Sequence, residues 1–214
     1  MCIRDRNKTV CIYPKDESTD FLSPLYDFLC EKGCEGLHKD TTENTDEAYA
    51  LIKEADSIIF LGHGASDTLY GSPQDGEFTV LINETNIQEL LYGKRCFILA
   101  CNSYEFCENY NLTSFIGFGN MPTGIVDVKI AMEADTTFPS LEKEDIDTYD
   151  AALVSLLIRA FNVAWLTDME KLYSKIRLYA NVEIGECLIN KPCKMFREVA
   201  DLLQDFKNDC TYCP

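Results

Sequence analysis

The amino-acid sequence predicts an α/β protein built on a mainly parallel sheet. Three observations carry this. Over the first 120 residues or so, short β-branched runs alternate with amphipathic segments, as in repeated strand–helix units. Two of the runs, "SIIFLG" and "CFILA", are apolar without a break, as expected of parallel strands buried on both faces. Beyond Pro122 the strand pattern stops and an acidic stretch leads into helices.

Each element has its own signal. "KTVCIYP", Lys8 to Pro14, is a β-branched run closed by proline, the first strand. "STDFLSPLYDFLCEKGC" reads as a helix capped by Ser18 or Thr19, with Phe21, Leu22, Leu25, Phe28 and Leu29 at helical spacing and Gly33 at its end. "GLHKDT" reads as a short second strand, and "NTDEAYALIKEA" as a helix burying Ala48, Leu51 and Ile52. "DSIIFLGHG" is the third strand. "ASDTLYGSPQDGE" carries turn residues, "INETNIQELLYG" is a helix closed by Gly93, and "KRCFILACNS" is the second strong central strand. "YEFCENYNL" reads as a short helix and "SFIGFG" as a fifth strand. Asn120 to Asp150 is long, acidic and irregular, with a loop expected over about 124–147. Helices follow in "DTYDAALVSLLIRAFNVAWL", "DMEKLYSKIRLYANV" and "CKMFREVADLLQDFKND", a helical remainder over about 148–214.

Length and charge narrow the function classes. A chain of 214 residues fits one domain, expected over 7–214 with an α/β core at about 8–123. Residues 1–6, "MCIRDR", read as the translation of a sequencing-library adapter, which would put the natural N-terminus further upstream. The net charge of −17 argues against a nucleic-acid binder, which would show a basic patch. The most apolar segment, "AALVSLLIRAFNVAWL", carries Arg159 and is shorter than the roughly 20 residues that cross a membrane, so no membrane partner is expected. Eleven cysteines suggest either a disulfide framework or reduced thiols used as small hydrophobes. The odd count and their places inside strands and helices favour reduced thiols and a cytoplasmic location. The tail "CTYC", with Cys187 and Cys193 upstream, has no histidine nearby and is not taken as a metal site, and no cofactor is expected.

The two strong strands end on chemistry. His63, between Gly62 and Gly64, follows "SIIFL", and Cys101 follows "CFILA". Open parallel sheets bind ligands beyond the carboxyl ends of their strands. Consecutive strands joined by one helix are neighbours by default, about 4.8 Å apart. A thiol and an imidazole so placed can form a nucleophile–base pair. A free thiol has a pKa of ~8.5 and needs activation, while imidazole can take and return a proton at working pH. Gly64 allows close backbone approach, and its N–H can face a developing oxyanion. The plainer alternatives are a packed cysteine and a surface histidine. Asp67, four residues past His63, reads as a turn residue, and Asn102 and Ser103 as shaping the turn after Cys101. Cys107 reads as packing, or as a resolving thiol for Cys101.

"FLGHG" followed by "FILACNS" resembles the His-Gly and Ala-Cys signatures of the caspase-like cysteine peptidases, a clan of caspases, metacaspases and gingipains. "HGASDTLYG", "INETNIQELLYGKRCFILACNSYEF" and "GFGNMPT" are most similar to the bacterial CHAT-like domains. The resemblance covers roughly Lys8 to Thr123. It implies a three-layer sandwich with strand order 2-1-3-4-5, helices on both faces and a helical C-terminal part. It implies peptide-bond hydrolysis through a thioacyl-enzyme, with Cys101 as nucleophile, His63 as general base then acid, and Gly64 as oxyanion donor. It further implies a peptide or protein substrate, a role in bacterial stress or phage defence, and activation by a partner protein or a fused sensor domain. Metacaspases and caspases carry Asp or Gln two residues before the nucleophile, where this chain has Leu99, so the preference for the residue before the scissile bond is not carried over. Asp16 and Asp20 are candidates for the substrate pocket, or else acids at a helix N-terminus. The rival function is a catalytically silent, caspase-like regulatory or scaffold module. A flavodoxin-like anion binder would need a Gly-rich turn after strand one, which "YPKDESTD" lacks.

Overall fold

The computed structural model describes residues 8–38, 45–74, 77–122 and 140–214. The adapter-like residues 1–6, the second half of the strand expected in "GLHKDT" and most of the acidic loop expected at 124–147 lie outside the described residues. The first strands and helices run β1 (Thr9–Tyr13), α1 (Ser23–Glu31), β2 (Glu35–His38), α2 (Thr45–Glu54) and β3 (Ser57–Leu61). A hairpin follows, β4 (Leu69–Gln74) and β5 (Glu77–Ile82). Then come α3 (Ile87–Leu91), β6 (Arg95–Leu99), α4 (Ser103–Asn109) and β7 (Phe115–Gly117). The chain continues through α5 (Lys143–Val163), α6 (Met169–Asn190), α7 (Phe196–Asp209) and β8 (Thr211–Cys213).

Six strands form one sheet in the order β2-β1-β3-β6-β7-β8, parallel except for the antiparallel pair β7–β8. The five expected strands keep the expected order, and β8 adds a sixth. All five residues of β1 and of β3 are buried. This follows from the period of two in a strand, because helices cover both faces. Cys11, Tyr13, Ile59, Leu61, Phe97 and Leu99 face one core with α1, α5, α6 and α7. Val10, Ile12, Ile58, Phe60, Cys96 and Ile98 face the other with α2, α3, α4 and the hairpin. Aromatic contacts tie the helical layer to the sheet: Phe97 lies 5.0 Å from Phe161 of α5, and Phe118 stacks on Phe206 of α7 at 4.9 Å between centroids.

The structure corrects several local expectations. The stretch "ASDTLYGSPQDGE" is not only turn: most of it forms β4 and the start of β5, an irregularly paired hairpin outside the main sheet. Its Leu69, Leu81 and Ile82 are buried in the second core, which outweighs the turn residues around them. The first helix begins late, at Ser23, after a single 3-10 turn over Asp20–Leu22. Neither Ser18 nor Thr19 caps it, because both side chains are engaged elsewhere. Gly33 does end it, with φ +99. The first of the three C-terminal helices, α5, begins at Lys143, inside the stretch expected to be irregular. There the Glu142 N–H donates to Asp145 Oδ2 at 2.9 Å in a reciprocal cap, and Glu144 and Asp145 suit the helix N-terminus. The "CTYC" tail is strand: Cys210 belongs to one core while Cys213 packs against the other, so the two thiols diverge across the sheet.

The ten described cysteines are all free thiols. Burial pushes the Cys96 and Cys210 thiols up to about 12, as expected of cysteines used as apolar packing. Among the described residues no single helix is long and apolar enough to cross a membrane.

Candidate active site

Three adjacent strands deliver the site at the carboxyl edge of the sheet. Leu61 of β3 and Leu99 of β6 are register partners, and the Gly62 N–H donates to the Leu99 carbonyl at 3.1 Å. His63 and Cys101 therefore stand two residues beyond one paired position, on neighbouring strands. Both side chains line one small cleft. Asp16 arrives on the loop after β1, which pairs with the other side of β3.

His63 is held firmly. Its Nε2 lies 2.8 Å from Asp16 Oδ2 and 2.8 Å from Ser18 Oγ. The Ser18 hydroxyl donates to Asp16 Oδ1 at 2.9 Å, as do the Thr19 N–H at 2.9 Å and the Thr19 hydroxyl at 3.0 Å. With the carboxylate facing Nε2, that nitrogen carries the proton in the neutral ring, and Nδ1 keeps the lone pair. Burial alone would raise the Asp16 carboxyl. The hydrogen bond and charge of His63, helped by Thr19 and Ser18, overcome burial and hold it well below the usual carboxylate range. On another side the Phe78 ring of β5 lies 4.7 Å from the imidazole, so the hairpin forms a wall of the site.

Cys101 sits on a sharp strand-to-helix turn. Asn102 adopts φ +55, a left-handed conformation that asparagine tolerates better than most residues. Ser103, fully buried, locks the turn: its hydroxyl donates to the Ile98 carbonyl at 2.7 Å and accepts from the Phe118 N–H at 2.8 Å. Asn102 N–H donates to Gly119 and Tyr104 N–H to Phe118, which fastens the turn to the chain after β7. The Cys101 thiol donates to the Met121 carbonyl at 3.4 Å.

Packing accounts for a glycine at position 64. A Cβ there would meet Ala100 Cβ at 3.0 Å and the Cys101 carbonyl oxygen at 3.1 Å. The neighbouring bonds, His63 carbonyl to Tyr70 N–H and Ala65 N–H to Thr68 carbonyl, leave the N–H of Gly64 turned away from its bridge partner Leu69.

Neither a scan against protein-family models nor a search of curated proteins finds a match to this chain. The site is therefore read from its own atoms. His63 and Cys101 line the same cleft, while Gly64 packs beside Ala100 and the Cys101 carbonyl and is absent from the cleft lining. Asp16 is bound to the imidazole and is absent from the cleft lining, and Asp20 is exposed and paired with Lys15. Asp67 lies in the turn, where its carbonyl accepts the Tyr110 hydroxyl. Cys107 is buried in the core opposite the one Cys101 packs against, which leaves no direct route to a resolving role. Sequence reasoning missed the Asp16–Ser18–Thr19 cradle and the Phe78 wall. The signal for the cradle was present: Asp-x-Ser-Thr follows a strand that a 2-1-3 order puts beside the His63 strand.

Proposed function

We propose that the protein is a cysteine endopeptidase acting through Cys101 and His63. The observation that carries this is that both side chains line one cleft, with the Nε2 of His63 tied to Asp16. In the proposed reaction Nδ1 takes the Cys101 proton and the sulfur attacks the peptide carbonyl carbon. The carbonyl oxygen, now negative, meets the Gly64 N–H. Collapse breaks the C–N bond, the imidazolium returns its proton to the leaving amine, and a thioester remains. Water then attacks the thioester with Nδ1 as base, releasing the acid and the thiol. Asp16 stabilises the imidazolium formed in both halves. The resemblance to CHAT-like domains extends the proposal to bacterial stress or phage defence, inside the cytoplasm, with activation by a partner protein or fused sensor domain.

The test is cleavage of a mixed peptide library by wild type, Cys101→Ala and His63→Ala. Cleavage by wild type that is lost in both variants is expected; activity surviving both removes the assignment. One observation favours a second reading, a silent regulatory or scaffold module: the Cys101 thiol is engaged by the Met121 carbonyl. Alkylation at neutral pH separates the two. A Cys101 that reacts no faster than the partly exposed Cys30, Cys193 and Cys213 supports the silent module.

A further inference from the structure

Asp16 stands on a loop, and a loop by itself does not fix the direction of a carboxylate. Its aim comes largely from Thr19. The Thr19 N–H donates to Asp16 Oδ1 at 2.9 Å, and the Thr19 hydroxyl donates to the same oxygen at 3.0 Å. In return the Asp16 N–H donates to Thr19 Oγ1 at 3.0 Å, which closes a ring between the two residues. The Ser18 hydroxyl also donates to Oδ1, and Oδ2 is left to meet His63. Thr19 is pinned in its turn. The Tyr13 hydroxyl donates to the Thr19 carbonyl at 2.8 Å, and Ser23 Oγ lies 3.1 Å from that hydroxyl. Tyr13 is the last residue of β1 and is fully buried, with the rings of Tyr26 and His38 against its own. Burial pushes the Tyr13 hydroxyl up to about 12, so it remains a donor at neutral pH.

From this chain of bonds we propose that Tyr13 and Thr19 are positioning residues for the general base. They carry the rigidity of β1 to the Asp16 carboxylate, and through it they hold the tautomer and tilt of His63. Tyr13 is absent from the cleft lining, so its effect reaches the chemistry only through Thr19 and Asp16. The proposal rests on the peptidase reading for its effect on turnover, and on the hydrogen bonds alone for the held imidazole. The plainer role for Tyr13 is to satisfy one buried carbonyl, which would affect stability and nothing else.

Two measurements separate these roles without turnover. The first is the NMR signal of the His63 Nε2 proton, which a carboxylate partner shifts downfield and protects from exchange. The chain has two histidines, so His63→Ala identifies the signal. Wild type is expected to show it, and Tyr13→Phe and Thr19→Val to lose it, each read below its own melting transition. Thr19→Ser, which keeps the hydroxyl, is expected to retain it. A signal unchanged in both Tyr13→Phe and Thr19→Val, or absent from wild type, overturns the proposal. The second is the alkylation rate of Cys101 at neutral pH. Tyr13→Phe is expected to slow it by about three- to tenfold, the rate equivalent of one buried neutral hydrogen bond. In an Asp16→Asn background the same substitution is expected to change nothing, because its route to His63 is already cut. Equal slowing in both backgrounds, or none where His63→Ala does slow the thiol, overturns the proposal. A thiol that His63→Ala leaves unchanged, with the NMR result as expected, sinks the peptidase reading and leaves the positioning of His63 standing.

Discussion

Replacing Asp16 by Asn keeps the side chain's size and removes the charge that faces Nε2 of His63. If Asp16 stabilises the imidazolium, turnover falls by about 10²-fold or more, while Ser18→Ala, which removes one neutral hydrogen bond, costs less than about tenfold. A pH series supplies a second reading. The folded carboxyl sits well below its ordinary value, whereas the unfolded chain takes up a proton near the usual value of about 3.9. In the window between, the unfolded state binds more protons, so stability rises with pH. The contribution is complete above about pH 5 and is lost as pH falls below about 4. Urea unfolding of wild type and Asp16→Asn is expected to differ most above pH 5 and to converge in acid. Gly64→Ala is a different kind of change. Its methyl would press on Ala100 and on a backbone carbonyl, so a loss of about 1–3 kcal/mol is expected, read as a lower melting temperature. The placing of His63 and Cys101 on one cleft was legible because a strand end fixes where a side chain goes. The role of Asp16 was not, because it depends on how the loop after β1 folds back across β3.

The turn from β6 into α4 depends on one buried hydroxyl. Ser103→Ala leaves the Phe118 N–H without its acceptor, and about 1–3 kcal/mol of stability is expected to go with it. Circular dichroism melts check the stability. Cys101 alkylation rates check whether the turn still holds the thiol as before. Central strands were readable at this scale, since an apolar run bounded by glycine or proline has few other uses. The β4–β5 hairpin was not. Its glycine, serine and proline read as turn, and only the burial of Leu69, Leu81 and Ile82 against α3 and the sheet makes strands of them. The start of α1 was misread for a related reason: Ser18 and Thr19 have the chemistry of caps, and the site uses that chemistry for Asp16 instead.

Across the whole molecule, the sheet and the C-terminal helices share one core, so they are expected to unfold together. Phe97 tests this, since it is fully buried and its ring touches both Phe118 beside the sheet and Phe161 of α5. Phe97→Ala is expected to cost about 3–5 kcal/mol in a single transition, with far-UV and near-UV signals still coincident. Two separate transitions would mean that the helices form a unit of their own. The sequence announced these helices by their periodicity, but an apolar stripe does not name the surface it will cover, so their docking onto the Leu61–Leu99 face could not be read in advance. The pairing of β7 with β8 has a kinetic side. Phe115 and Cys213 meet across about a hundred residues of intervening chain, a contact of high sequence separation whose loop-closure cost slows its formation. Until it forms, β7 offers an open edge to any other chain, so refolding yield is expected to fall as protein concentration rises.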